Sequence, residues 1–115
     1  MQWSIDEGDA AALHEQISAC ILRAIDDGSL RPGERLPPAS ELAAVLGVNP
    51  NTVLHAYRRL RDLGTLEFRR GRGARVAPDA RARGQVVDAA RHFLDLGRSH
   101  GYTPRALLAM IEELA

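Results

Sequence analysis

Hydrophobic positions recur along this chain with two different periods, and the switch between them sets out the architecture. From Ala11 to Asp27 the apolar residues Leu13, Ile17, Ile21, Leu22 and Ile25 return every three or four positions, with Cys20 and Ala24 on the same face. That spacing predicts a helix. Gly28 ends it, and a connector rich in turn residues follows, with Pro32-Gly33 and Pro37-Pro38 bracketing Arg35 and Leu36. A short helix is predicted over Ala39–Leu46, carrying Leu42, Ala43 and Leu46 on one side. Gly47, Val48 and Asn49 form a three-residue turn. A further helix starts at Pro50 and ends at Gly64, with Asn49 able to cap it and Pro50 placed where a missing N–H costs nothing. Two short helices joined by a tight turn containing Gly form a helix-turn-helix.

The second of these helices is two-faced. Val53, Ala56, Tyr57, Leu60 and Leu63 fall on one side, and Asn51, Thr52, His55, Arg58, Arg59 and Asp62 on the other. A recognition helix meets base edges with its N-terminal residues. Asn, Thr and His can donate or accept hydrogen bonds there, and Asn can pair bidentately with adenine.

After Gly64 the period becomes two. Leu66 and Phe68 alternate with Glu67 and Arg69, and Ala74 and Val76 follow the same rule across R-G-R-G. Two short strands joined through Gly71 and Gly73 predict a hairpin, which after a recognition helix is a wing. Arg69, Arg70, Arg72 and Arg75 surround its tip, a composition suited to phosphate or minor-groove contact. Pro78 breaks the chain. A long helix is predicted over Asp79–Gly97, with Val86, Val87, Ala90, Phe93, Leu94 and Gly97 as its stripe. Arg98–Tyr102 is a link, and Thr103 caps a last helix whose apolar face is Leu107, Leu108, Ile111 and Leu114. At the other end, Met1–Asp9 is a short acidic stretch in which Trp3 and Ile5 alternate, read either as an arm or as an extended segment on the domain.

These elements define an α+β fold, mainly α: a winged helix-turn-helix over residues 1–77, and a two-helix tail over residues 78–115. The stripes of the tail follow a domain that is already complete and need a partner. A second copy of the chain is the economical one, because operators are read by two-fold dimers. The expected dimerisation residues are Val86, Ala90, Phe93, Leu94, Leu107, Leu108, Ile111 and Leu114.

Charge sharpens this picture through its distribution. The formal net charge is zero, yet residues 1–30 carry six acids and one Arg while residues 31–75 carry nine Arg and four acids. Positive charge therefore sits where the helix-turn-helix and wing sit. All fifteen basic residues are Arg, the better bidentate donor to phosphate and guanine. A lone cysteine, Cys20, makes no internal disulfide and lies on the apolar side of its helix. Apolar runs fall far short of the ~20 residues of a membrane span, and no signal peptide pattern is present, so a cytoplasmic protein without membrane attachment is expected. His14, His55, His92 and His100 are scattered over different elements and none has zinc-ligand spacing with Cys20. No nucleophile–base arrangement is readable either, so the chain is expected to be no enzyme and to need no metal or cofactor.

Residues Leu13 to Val76 resemble the N-terminal domain of the GntR family of bacterial transcriptional regulators. The resemblance is carried by L-H-E-Q-I at Leu13–Ile17, G-S-L-R-P-G-E-R-L-P at Gly28–Pro37, E-L-A at Glu41–Ala43, L-G-V-N-P-N-T-V at Leu46–Val53, A-Y-R-R-L at Ala56–Leu60 and R-R-G-R-G at Arg69–Gly73. The N-P-N-T-V form with a short two-helix tail is similar to the YtrA-type branch, whose members lack a large effector-binding domain and dimerise through the tail. The resemblance implies a regulator of transcription that binds a palindromic double-stranded DNA operator as a homodimer, and a small dimer of that kind leans to repression. The expected DNA-contacting residues are Arg35, Asn49, Asn51, Thr52, His55, Arg58, Arg59, Arg70, Gly71, Arg72 and Gly73. Ser40 and Leu54 depart from the family, many of whose members carry Arg at both places; Leu54 offers a contact to a thymine methyl instead. An unidentified small-molecule effector remains open, with no residue announcing it. The rival reading is a winged-helix adaptor that binds protein and shows no affinity for promoter DNA.

Overall fold

The computed structural model describes Trp3 and residues 13–115. Seven elements follow in order: α1 (Leu13–Asp27), α2 (Ala39–Leu46), α3 (Pro50–Asp62), β1 (Leu66–Arg69), β2 (Gly73–Val76), α4 (Ala80–Ser99) and α5 (Pro104–Leu114). This is a winged helix-turn-helix with a helical tail. Ala11, Ala12 and the N-terminal stretch apart from Trp3 lie outside the described residues. The chain divides into two compact units after Gly84, so the first turn of α4 belongs to the N-terminal unit.

The core of the N-terminal unit is what the periodicities point to. Ile17, Ile21 and Ile25 of α1, Leu42 of α2, Val53, Ala56 and Leu60 of α3, and Leu66 and Val76 of the hairpin form one buried cluster, against which Trp3 is partly buried. Burying each large aliphatic side chain contributes roughly 1.5–3 kcal/mol, so this cluster dominates the stability of the unit. The turn between α2 and α3 depends on Gly47, whose φ of 70° is left-handed. Asn49 Oδ1 accepts from the N–H of Asn51 at 2.8 Å and caps α3. At the other end α3 stops at Asp62 rather than at Gly64. Leu63 caps it, and Gly64, at φ 83°, turns the chain so that Thr65 donates its N–H and its hydroxyl back to the Leu60 carbonyl.

The connector between α1 and α2 is more ordered than a turn-rich loop. Leu36 donates to Ala74 O at 2.8 Å, Val76 donates to Glu34 O at 2.9 Å, and Gly33 donates to Val76 O at 2.8 Å. This segment runs along β2 and pairs with it at Arg35↔Arg75, so the hairpin is ribbed on its far edge. Two prolines nearby mask the pairing in the sequence pattern, because Pro cannot donate to a ladder.

In the C-terminal unit, α4 continues past Gly97 to Ser99. Gly97 is no stop: a Cβ placed there would stand 2.5 Å from Leu107 Cδ1, so the glycine admits the Leu107 side chain. The chain turns at Gly101 instead, at φ 84°, where Tyr102 donates to Gly97 O at 2.9 Å. Thr103 Oγ1 then accepts from Ala106 N–H at 3.1 Å and caps α5.

Candidate nucleic-acid interface

The first turn of α3 is positioned from below. Val53, Ala56, Tyr57 and Leu60 are buried against α1 and α2, which leaves Asn51, His55, Arg58 and Arg59 exposed and Thr52 half-buried. Asn49 is exposed, with its side-chain oxygen committed to the cap. Arg58 and Arg59 carry no ion pair among the described residues. His55 is not solitary. Its ring stacks on His14 of α1 with centroids 4.0 Å apart and planes 7° apart, so two histidines the sequence scatters meet across the α1–α3 contact. Sequence spacing carries no signal for this pair, because α1 and α3 are brought together only by the core.

The wing follows from hairpin register. Leu66 pairs with Val76, Glu67 with Arg75, Phe68 with Ala74 and Arg69 with Gly73. Arg72 N–H donates to Arg69 O at 2.9 Å across a turn whose third residue, Gly71, has φ 74°. That left-handed position is why glycine stands there. Arg70 and Arg72 are exposed at the tip, with no side-chain partner among the described residues. The other two arginines near the tip are engaged: Arg69 lies 3.4 Å from Glu67, and Arg75 donates to Gly33 O at 3.2 Å. Arg35 is exposed on the connector and its guanidinium lies over Gly73.

The wing is tied to α3 through shared neighbours. Leu54 and Tyr57 of α3, Phe68 and Arg69 of β1, Gly71 and Gly73 of the wing, and Arg35 on the connector line one cavity. Leu54 is half-buried at that cavity. Tyr57 donates its hydroxyl to Pro37 O at 2.7 Å, and burial pushes its phenol above the usual tyrosine range. On the other side of Phe68, the Arg61 guanidinium sits 4.8 Å above the ring. Ser40, on the first turn of α2, is exposed.

Of the residues expected to meet a second subunit, Val86, Ala90, Leu108, Ile111 and Leu114 are exposed and Phe93 and Leu94 half-buried. Leu107 is 2% exposed, its side chain spent on Gly97 within the chain. Leu96, 54% exposed, joins the exposed apolar residues, although it lies off the stripe that the sequence pattern marks. Among the described residues, no cluster of His, Cys, Asp and Glu is able to hold a metal ion, and no helix is long and apolar enough to cross a membrane.

This arrangement is that of a helix-turn-helix regulator, and comparison with known proteins agrees. Residues 13–76 match the bacterial regulatory proteins of the gntR family, and the chain belongs to that family. It is 36% identical over 77 residues to the HTH-type transcriptional repressor YtrA of Bacillus subtilis, a match spanning 67% of this chain and 59% of that protein. It is 30% identical over 99 residues to the HTH-type transcriptional regulator Rv1152 of Mycobacterium tuberculosis, spanning 86% of this chain and 82% of the relative. Among solved structures, YtrA from Sulfolobus acidocaldarius, a GntR-family transcription factor, aligns with a TM-score of 0.56 at 28% identity, covering 88% of this chain and 85% of that one.

Proposed function

We propose that this chain is a sequence-specific DNA-binding transcriptional regulator of the YtrA-type branch, acting as a homodimer on a palindromic operator and repressing the genes behind it. The observation that carries this reading is the joint exposure of two surfaces: the capped first turn of α3, with Asn51, Thr52 and His55, and an arginine-bearing wing tip held beside the same helix. Bases are read by the first surface. Phosphates are met by the second, with Arg35, Arg58 and Arg59 adding positive charge, and with Gly71 and Gly73 letting the backbone approach the duplex. The apolar residues exposed on α4 and α5 support a second copy as partner, and a B. subtilis relative that is a repressor supports repression. Steric block of a promoter requires nothing beyond binding.

The two surfaces fail differently, and that is the test. Asn51→Ala should cost about 1–3 kcal/mol on the preferred operator and little on random duplex. Replacing Arg70 and Arg72 with Gln should weaken binding to both duplexes and lower the salt slope by about 0.9 for each phosphate left without its arginine. Titrating both variants against both duplexes at several salt concentrations separates the roles. Equal loss by Asn51→Ala on both duplexes puts Asn51 on the DNA backbone, and no loss on either moves base reading to His55 or Leu54. Absence of salt-dependent affinity for any promoter fragment replaces the regulator with the adaptor.

A further inference from the structure

Two clefts open beside the wing, and their charges differ. The larger, about 540 Å³, lies between the end of α3, β1 and the start of α4. Each of its three arginines has an acid partner: Arg83 lies 3.0 Å from Asp79 and Arg69 lies 3.4 Å from Glu67, both acids lining the cleft, while Arg61 lies 3.2 Å from Asp62 just outside it. The smaller, about 350 Å³, lies between the connector, α3 and the wing. Its lining includes two arginines and no acid. Arg35 has no side-chain partner among the described residues, so one cation at this cavity is uncompensated.

The floor of the smaller cavity is apolar and aromatic. Leu54 and Phe68 line it together with Tyr57, whose hydroxyl donor is already given to Pro37 O. Phe68 is 40% exposed, the most exposed large apolar side chain of the hairpin. Volume, lining and a convergent charge are those of a small-molecule site, which typically measures about 300–1,000 Å³. A ligand ring would cover the part of Phe68 that stays exposed among the described residues. Arg offers a planar fork that matches a carboxylate in two parallel hydrogen bonds. A cationic ligand would meet only like charge.

We propose that this cavity binds a small aromatic carboxylate, its ring against Leu54, Tyr57 and Phe68 and its carboxylate on Arg35, and that the bound acid excludes DNA. The exclusion rests on the DNA-binding reading, because Arg35, Gly71 and Gly73 belong both to the cavity and to the proposed duplex contacts. Regulation by ligand then needs no effector domain: acid and phosphate compete for the same guanidinium and the same approach to the wing.

The test uses the full chain with 2-naphthoate as the acid and 2-naphthamide as its neutral counterpart. Amide shifts in ¹⁵N-labelled protein should concentrate at Arg35, Leu36 and Ala39 and at residues 54–57 and 68–74. Arg35→Gln should weaken 2-naphthoate by about tenfold or more and leave 2-naphthamide unchanged, since only the first uses the charge. At tenfold its Kd, 2-naphthoate should lower the apparent affinity for a labelled duplex about tenfold. Shifts dispersed over the surface, or equal 2-naphthoate affinity in Arg35→Gln, overturn the site, and simultaneous binding of acid and duplex overturns the exclusion. Duplex binding with no 2-naphthoate binding overturns the cavity assignment and leaves the DNA reading standing. Binding of 2-naphthoate at the cavity by a chain that binds no duplex does the reverse.

Discussion

The two units of this chain handle their apolar residues in opposite ways. In the N-terminal unit the helical stripes and the hairpin close on one another: Ile17, Ile21, Val53, Ala56 and Leu60 are all at 0% exposure. In the C-terminal unit, Leu107 and Gly97 are the buried residues among those described, while Leu114 is 79% exposed, Val86 68% and Leu108 57%. Both units show strong helical periodicity, so periodicity says which face is apolar and not what covers it. Closure requires a third surface. The N-terminal unit has one in the hairpin and connector laid across its helices. Two helices alone lack it, and on the reading proposed above a second chain supplies it.

One residue type placed in both units tests this contrast most sharply. Leu60→Ala removes a fully buried side chain and should cost about 2–5 kcal/mol, read as a lowered midpoint in denaturant unfolding followed by a probe in the N-terminal unit. Leu114→Ala, measured in the monomeric state, should change stability by less than about 0.5 kcal/mol. A large loss at Leu114 in the monomer would show that the exposed face is covered from within, and would dissolve the contrast.

Next in size is the effect on association. Leu108→Asp places a charge in the face proposed to meet a second copy, and an unpaired charge is strongly disfavoured in an apolar interface. Sedimentation should show a dimer at micromolar concentration for the parent chain and a monomer for the variant. Affinity for a palindrome should fall about a hundredfold, because the second half-site is no longer linked to the first. A parent chain that sediments as a monomer would remove the homodimer from the proposal.

Gly97→Ala probes the closed contact inside the otherwise open unit. The added Cβ would stand 2.5 Å from Leu107 Cδ1 and 2.6 Å from its Cδ2, so Leu107 must move. Overpacking of this kind costs about 1–3 kcal/mol. It should appear as loss of helicity confined to residues 85–115 in hydrogen exchange, with the N-terminal unit unchanged. Pairing Gly97→Ala with Leu107→Ala should restore much of the helicity, because the smaller side chain vacates the site.

How far the sequence announces all this differs by element. The helices, the hairpin and the capped start of α3 follow from local rules: apolar spacing, Asn49 before Pro50, glycines at the wing. They are legible because each is decided within a few residues. The connector's pairing with β2 is decided by residues some forty positions away and is masked by prolines. The spacing that puts Gly97 on the apolar stripe of α4 agrees with its burial against Leu107, and only the end of the helix differs, lying two residues further on at Ser99. The stack of His14 on His55 has no sequence signal, and the exposed positions of Asn51, Arg70 and Arg72 have a clear one. The cavity beside the wing joins residues from three elements, so its lining emerges only after the chain has folded.

The smallest of the expected effects concerns a polar tie within the closed unit. Tyr57 is buried, and its hydroxyl donates to Pro37 O across the join between α3 and the connector. Tyr57→Phe keeps the ring and removes the donor, leaving that carbonyl without this partner, and should cost about 1 kcal/mol at pH 7. A pH series separates the hydrogen bond from the ring. Burial raises the phenol above its ordinary value of about 10, so the folded state holds the proton more tightly than the unfolded chain. Stability from this group is therefore full below pH ~10 and is lost as pH rises beyond that toward the folded value. The parent chain should lose stability between about pH 9 and pH 11 more steeply than Tyr57→Phe, so the difference between them narrows as the solution becomes alkaline. Equal slopes in the two proteins would mean that Tyr57 titrates alike in both states. The tie from α3 to the connector would then be looser than its 2.7 Å length implies, and the closed unit would be held by its apolar cluster without this polar tie.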